Sequence, residues 1–135
     1  MIFVFTCLML LSACGAGTSD ASSERPAPPA EYAELKNPLE GDDTAMSAGK
    51  ETYNINCASC HGDTGLGDGP IGSSLNPEPG NLAEAQKKMS DGYIYWRIAD
   101  GGILEPFNSA MPSWKGVMSE DQIWEVVSYI HSFDQ

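Results

Sequence analysis

The stretch Cys57-Ala58-Ser59-Cys60-His61 decides how the rest of this chain is interpreted. Two cysteines separated by two residues, with a histidine directly after the second, form the pattern of a covalent c-type haem attachment site. Both thiols must add to the two vinyl groups of one porphyrin, so they must lie on one side of a short turn. The histidine then falls under the iron, where an imidazole nitrogen can serve as an axial ligand. We therefore predict one covalently bound haem c held by Cys57, Cys60 and His61.

Three other kinds of site share parts of this pattern. A structural zinc site normally needs a second pair of ligands at a comparable spacing, and the only other cysteines are Cys7 and Cys14. A thioredoxin-like redox motif belongs to a βαβ context, and no strand pattern surrounds the motif. The glycine-rich loop at 62–70 could cradle a phosphate only if it joined a strand to a helix. The haem interpretation is favoured over all three.

The chain begins with an apolar run that ends in Leu11-Ser12-Ala13-Cys14. The run is too short to span a bilayer, which takes about 20 residues, and it is typical of a signal peptide with small residues at the cleavage site. Leu-Ser-Ala-Cys also resembles the lipobox of bacterial lipoproteins, whose cysteine receives diacylglycerol. We expect a signal peptide over residues 1–13 and a lipid anchor at Cys14, on the periplasmic or extracytoplasmic side of a bacterial membrane. No Lys or Arg precedes Arg25, which departs from this pattern, and an ordinary signal with an incidental cysteine is the alternative.

The composition changes after the lipobox and again near residue 41. Residues 14–40 are rich in Ser, Ala, Pro and Glu, including the run Pro26-Ala27-Pro28-Pro29, and show no hydrophobic period. This composition predicts a flexible tether, extended at its prolines. The folded domain is predicted over residues 41–135.

Helical signals dominate that domain. Capping residues at 42–44 predict a helix to about Asn56, a short helix is expected over 82–89, and another runs from Asp91 to the glycines at 101–102. Ser119 and Gln122 form a capping box, after which apolar residues recur at helical spacing to Phe133. No alternating strand pattern appears. We predict an all-α domain of three to five helices wrapped around one haem.

A second axial ligand must come from farther along the chain. Met111 stands in the best context, because Pro112 disfavours helical geometry at the preceding residue and leaves the thioether on an extended loop. The other candidates are expected to be filler or packing residues: Met46, Met89, Met118 and His131. We predict iron ligation by His61 and Met111.

From about Gly49 to Phe133, the chain resembles class I monohaem cytochrome c. The resemblance is carried by Gly49 and Tyr53 ahead of the haem motif, the motif itself, the Gly-Asp-Gly-Pro loop, Met111-Pro112 and an aromatic-bearing last helix. It implies that the first and last long helices cross, with Gly49 near Val126 or Tyr129. It also implies that the Pro70 carbonyl accepts a hydrogen bond from the free nitrogen of the ligated histidine. Three further residues are candidates for contact with the haem propionates, the alternative being plain surface or packing residues: Trp114, Arg97 and Asn81.

The predicted iron ligands and the net charge narrow the set of possible functions. His and Met together fill both axial positions and raise the reduction potential, so the chain is interpreted as an electron carrier rather than an enzyme. The net charge of -12 excludes nucleic acid as a partner and favours redox proteins with basic docking patches. We expect a membrane-tethered carrier that shuttles single electrons between respiratory-chain complexes. The alternatives are a fixed haem subunit of a quinol-oxidising or terminal oxidase or reductase complex, and a haem sensor or small peroxidase.

Overall fold

The computed structural model describes residues 25–133; the predicted signal peptide, Cys14 and the first part of the tether lie outside the described residues. Within 25–133 the chain forms helices and one 3-10 turn at Gly72–Ser74, with no strand. The helices are α1 (Ala30–Ala33), α2 (Asp43–Asn56), α3 (Ala58–His61), α4 (Leu82–Ala85), α5 (Asp91–Asp100) and α6 (Glu120–Ile130). The predicted all-α class is confirmed. Helix α4 is shorter than the predicted 82–89 segment, whose last residues form turns.

The crossing of α2 and α6 forms the centre of the domain. Helix α2 begins at an N-cap, Asp42, whose side chain accepts hydrogen bonds from two backbone N–H groups, and α6 begins with the predicted Ser119–Gln122 capping box. The helices touch at Gly49, where a Cβ atom would overlap the backbone carbonyl of Glu125. Only glycine permits so close an approach of two backbones. Gly49 therefore meets α6 beside Val126, as the resemblance implied.

Part of the predicted tether is folded onto the domain. We call residues 26–40 the N-terminal strap. Tyr32 is only 7% exposed and belongs to the core, while the side chain of the buried Asn37 donates to Ser128 Oγ at 2.8 Å. The Asn37 backbone N–H also donates to Asp91 at 3.0 Å. The structure thus differs from the predicted boundary at residue 41, because single residues of a proline-rich segment, Tyr32 and Asn37, have partners on α5 and α6. A search for hydrophobic periodicity cannot detect such single contacts.

None of the helices within residues 25–133 has the length and the apolar content that a membrane span requires.

A candidate haem-attachment site

An apolar cavity of about 360 Å³ lies between α2, α3, α5, α6 and the loops that join them. Its volume falls within the usual range for small-molecule and cofactor sites. Cys57, Cys60, His61 and Met111 all line it. Its apolar walls come from α2, α4, α5, α6 and the loops between them: Tyr53, Leu75, Leu82, Ile94, Ile98, Phe107, Val126 and Ile130. A more open groove of about 620 Å³ adjoins this cavity, and the two share Arg25, Met89 and Tyr93.

The two cysteines are brought to the cavity by the junction of α2 and α3. Cys57 is both the C-cap of α2 and the N-cap of α3, and Cys60 lies in the single turn of α3. Both are half-buried free thiols. Burial, followed by the neighbouring Cys60, raises the pKa of the Cys57 thiol to about 12. The surroundings therefore favour an uncharged sulfur, which a thioether provides.

His61 lines the cavity, and one of its two ring nitrogens is buried in the protein. The Nδ1 atom is buried without a hydrogen-bond partner in the described part of the chain. Burial lowers the pKa of His61, and the backbone carbonyl of Gly80 opposes this by facing the ring. The imidazole is thus held neutral, the form that can bind a metal. Because buried polar atoms are nearly always hydrogen-bonded, an unpartnered one marks a position with a special role.

The structure places Gly80, rather than Pro70, beside this histidine. Pro70 is exposed and does not line the cavity. Its neighbours instead pair with the back of α3, since Gly69 N–H donates to the Cys60 carbonyl at 3.2 Å and Ile71 N–H to the Ser59 carbonyl at 3.1 Å. The expected hydrogen bond between the Pro70 carbonyl and His61 Nδ1 is not formed in this structure, because the loop first folds back over α3 and lines the cavity only from Leu75 onward.

Met111 enters the cavity from an extended segment after α5. Gly102 N–H donates to the Met111 carbonyl at 2.9 Å, and Trp114 N–H donates to the carbonyl of Ala99 at 3.1 Å. Gly101 has φ +69, and a Cβ there would overlap the Pro112 backbone. These contacts hold the thioether-bearing residue against the end of α5, in the non-helical backbone that Pro112 predicted.

The three predicted propionate contacts have different surroundings. Trp114 is half-buried and lines the cavity. Arg97 also lines it, with its guanidinium carbon 3.3 Å from the Phe107 ring centre and a hydrogen bond to the Gly101 carbonyl. Burial lowers the pKa of Arg97, and no carboxylate of residues 25–133 forms an ion pair with it. Asn81 is exposed and outside the cavity lining, because its side-chain oxygen accepts from Glu84 N–H as the N-cap of α4.

Met89 and Arg25 had no predicted site role, although both line the cavity. Met89 lies in the turn between α4 and α5 and lines the cavity, although it was expected to be helical filler. Arg25 lines the same cavity from the start of the described chain, and nothing in the proline-rich composition indicated this. The remaining candidate ligands lie outside the lining: Met46, Met118 and His131. His131 is hydrogen-bonded to Gln86 and Asp91, at 3.2 and 3.0 Å.

The residues of this cavity fit a covalently attached haem. Two thiols on one turn, a neutral imidazole beside them and a thioether on a separate segment are the side chains that a c-type haem requires. Most of the cavity lining is apolar, as suits a macrocycle, and the two arginines suit its two acidic substituents. The other polar side chains of the lining include Asn56, Glu78, Gln86 and Ser109. A fold of this kind with this site defines a cytochrome c electron-transfer domain.

Comparison with known proteins supports this class. The chain belongs to the family described as "Cytochrome C oxidase, cbb3-type, subunit III", which matches residues 44–130. Membership of the cytochrome c family implies covalent haem c. The chain is 29% identical, over 93 residues, to the cbb3-type cytochrome c oxidase subunit FixPc of Rhizobium leguminosarum bv. viciae; the match covers 67% of this chain and 29% of the relative.

A shorter relative and a solved structure complete the comparison. The chain is 26% identical, over 90 residues, to a cytochrome c6 of Tetradesmus obliquus, with 64% of this chain and 88% of that protein covered. The structure of cytochrome cL from Methylophaga aminisulfidivorans superposes with a TM-score of 0.55 at 22% identity, covering 72% of this chain and 58% of the other. This last similarity shows the fold alone.

Proposed function

We propose that the chain transfers single electrons through a haem c that is bonded to Cys57 and Cys60 and ligated by His61 and Met111. One observation carries this proposal: all four side chains line the same apolar cavity. Haem, when bound, supplies a one-electron iron couple. The protein's part is to supply both axial ligands, to exclude water with apolar walls and to keep the ligands in place when the charge of the centre changes.

The axial pair favours transfer over catalysis on a substrate. The Nδ1 of His61 is buried while the ring lines the cavity, so Nε2 is the nitrogen available to iron. Met111 offers the other donor, and a thioether raises the reduction potential. With both positions filled, the iron has no open site for a substrate.

Arg97, Trp114 and Arg25 are proposed to receive the acidic edge of the haem. Arg97 carries the strongest support, because it is a half-buried cation on the cavity without a carboxylate partner within residues 25–133. A buried charge is costly unless it is paired. Asn81 is left out of this set because its side chain already caps α4.

We further propose that the protein works at a membrane surface, anchored through lipid at Cys14 after removal of residues 1–13. Its partners are redox proteins with basic docking patches, since acidic residues outnumber basic ones by 19 to 7. Complementary charge raises the rate of encounter, and added salt screens it. The proposed place is the extracytoplasmic side of a bacterial membrane, between respiratory-chain complexes.

A permanent subunit is the second candidate. The family and the FixPc relative are both described as oxidase subunits, and this chain spans less than a third of that relative. Solubilising native membranes in mild detergent and isolating the chain through a C-terminal tag distinguishes the two. A stoichiometric complex that survives high salt supports the subunit; free protein supports the carrier.

Electron transfer is tested on the purified holoprotein by stopped-flow oxidation. A cationic and an anionic metal complex of similar potential serve as oxidants at increasing salt. We expect the rate with the cationic reagent to fall with salt and the rate with the anionic reagent to rise. A ferrous protein that instead binds carbon monoxide rapidly has an open iron position, and this result would replace the carrier with the sensor or peroxidase.

A further inference from the structure

The segment that carries Met111 is attached to the C-terminal end of α5. We call residues 109–115 the ligand segment. Trp114 N–H lies 3.2 Å from the Ile98 carbonyl, while Lys115 N–H and Ser113 Oγ donate to the Ala99 carbonyl at 2.9 and 2.6 Å. The last four carbonyls of a helix have no partner within it, and the ligand segment supplies partners for two of them, those of Ile98 and Ala99. The position of Met111 therefore depends on the end of α5.

The N-terminal strap reaches the same place through one hydroxyl group. Tyr32 Oη donates to Asp100 Oδ1 at 3.2 Å, and Asp100 is the last residue of α5. Lys115 Nζ, at the end of the ligand segment, donates to Tyr32 Oη at 3.5 Å. The other oxygen of Asp100 accepts from Trp96 Nε1 at 3.1 Å, which fixes the carboxylate. Three pieces of chain that are distant in sequence thus meet at the Tyr32 hydroxyl.

The buried member of this junction is Tyr32, whereas Asp100 and Lys115 are exposed. The Tyr32 side chain is 7% exposed and its ring lies 6.0 Å from that of Tyr95 on α5. A Cβ on Gly92 would overlap the Tyr32 carbonyl, so the strap backbone lies directly on α5. The hydroxyl therefore has little freedom to form hydrogen bonds with other partners.

We propose that Tyr32 is a positioning residue for Met111: its hydroxyl joins the strap to Asp100 and Lys115 and holds the ligand segment closed over the haem cavity. This inference rests on the proposed ligation by Met111. Tyr32 touches neither the cavity nor the reacting atoms. It acts through the fraction of molecules in which the ligand segment is detached from α5, and an external ligand for iron binds in proportion to that fraction.

The test compares Tyr32→Phe with Tyr95→Phe in the ferric holoprotein. Tyr95 is the matched control, because it is the neighbouring buried tyrosine and its hydroxyl makes no hydrogen bond within residues 25–133. Each variant is titrated with imidazole, which competes with the thioether. Since the hydrogen bond to Asp100 and the longer one from Lys115 are both lost, we expect Tyr32→Phe to bind imidazole about two- to tenfold more tightly than wild type, and Tyr95→Phe to match wild type.

Amide hydrogen exchange supplies a second readout that needs no external ligand. The amides of Trp114 and Lys115 should exchange faster by a similar factor in Tyr32→Phe, and at the wild-type rate in Tyr95→Phe. Asp100→Asn, which keeps the ring of Tyr32 and weakens its acceptor, should shift both readouts in the same direction. A lower melting temperature with unchanged imidazole affinity and exchange would make Tyr32 merely structural and overturn the proposal.

The outcomes separate this inference from the function on which it rests. If wild-type protein shows the ferric absorption band of an iron–thioether bond and Tyr32→Phe behaves as Tyr95→Phe does, the positioning role fails alone. If wild-type protein lacks that band, ligation by Met111 fails and the positioning role fails with it.

Discussion

Tyr53 illustrates how much of the site rests on single side chains. It is fully buried, lines the haem cavity and donates its hydroxyl to the Gly62 carbonyl at 2.8 Å. Its ring meets those of Tyr129 and Phe133 edge-on, with centres 5.3 and 5.4 Å apart. The hydroxyl therefore ties α2 to the residue directly after the haem motif.

Removing that hydroxyl should destabilise the domain. Tyr53→Phe leaves the Gly62 carbonyl without its partner, and we expect the free energy of unfolding in urea to fall by about 1–3 kcal/mol. Tyr129→Phe is the control, because the half-buried Tyr129 makes ring contacts but no hydroxyl hydrogen bond within residues 25–133. Equal losses for the two variants would contradict the role given to the hydroxyl.

At the residue scale, the sequence predicts which residues belong to the site's motifs better than it predicts which residues lie beside them in space. Haem attachment at Cys57 and Cys60 and iron ligation by His61 and Met111 remain predictions. All four residues belong to short sequence motifs, and all four line one cavity. The contacts of Pro70 and Asn81 could not be predicted from their positions relative to the family's motifs. Hydrogen bonds between the 67–71 loop and α3, and the capping role of Asn81, are decided by the path of the chain.

The helices follow from local signals wherever those signals are strong. Both long helices α2 and α6 start at the predicted caps, and α5 ends at the predicted glycines. The N-terminal strap carries no such signal, since Tyr32 and Asn37 are single residues whose partners lie 68 and 91 positions away. Short-range periodicity cannot report contacts of that range.

The α2–α6 crossing makes a sharp prediction at this scale. Gly49→Ala introduces a Cβ into the Glu125 backbone, and both backbones must separate to admit it. We expect a loss of about 3 kcal/mol or more in the free energy of unfolding, measured by urea denaturation. Lys50→Ala, at the exposed neighbouring position, should change stability by less than about 0.5 kcal/mol. A stable Gly49→Ala protein would mean that the helices do not meet there.

The whole molecule holds all five of its tyrosines in surroundings that disfavour the phenolate. Burial is the largest cause, and it raises the pKa of each above the ordinary value of 10.0: Tyr32, Tyr53, Tyr93, Tyr95 and Tyr129. Since the unfolded chain loses these protons first, the contribution to stability is complete below the unfolded pKa and is lost as the pH rises through the folded values.

Alkaline titration checks this directly. In the native holoprotein, phenolate absorbance should appear at higher pH than in the urea-unfolded chain, and the urea midpoint should fall as the pH rises above about 10. The unfolded chain in the same buffers is the control. Superimposable phenolate curves for the two states would contradict the burial of the tyrosines.

The central claim is that one molecule places His61 and Met111 on the same haem iron. Its most direct measurement is the ferric absorption spectrum of the wild-type holoprotein beside Met111→Leu and Met89→Leu. Met89 is the matched control, because it is a second half-buried methionine that lines the same cavity. We predict that the long-wavelength band of an iron–thioether bond is present in wild type and in Met89→Leu and is lost in Met111→Leu. A band that survives in Met111→Leu, or that disappears in Met89→Leu instead, would contradict the assignment.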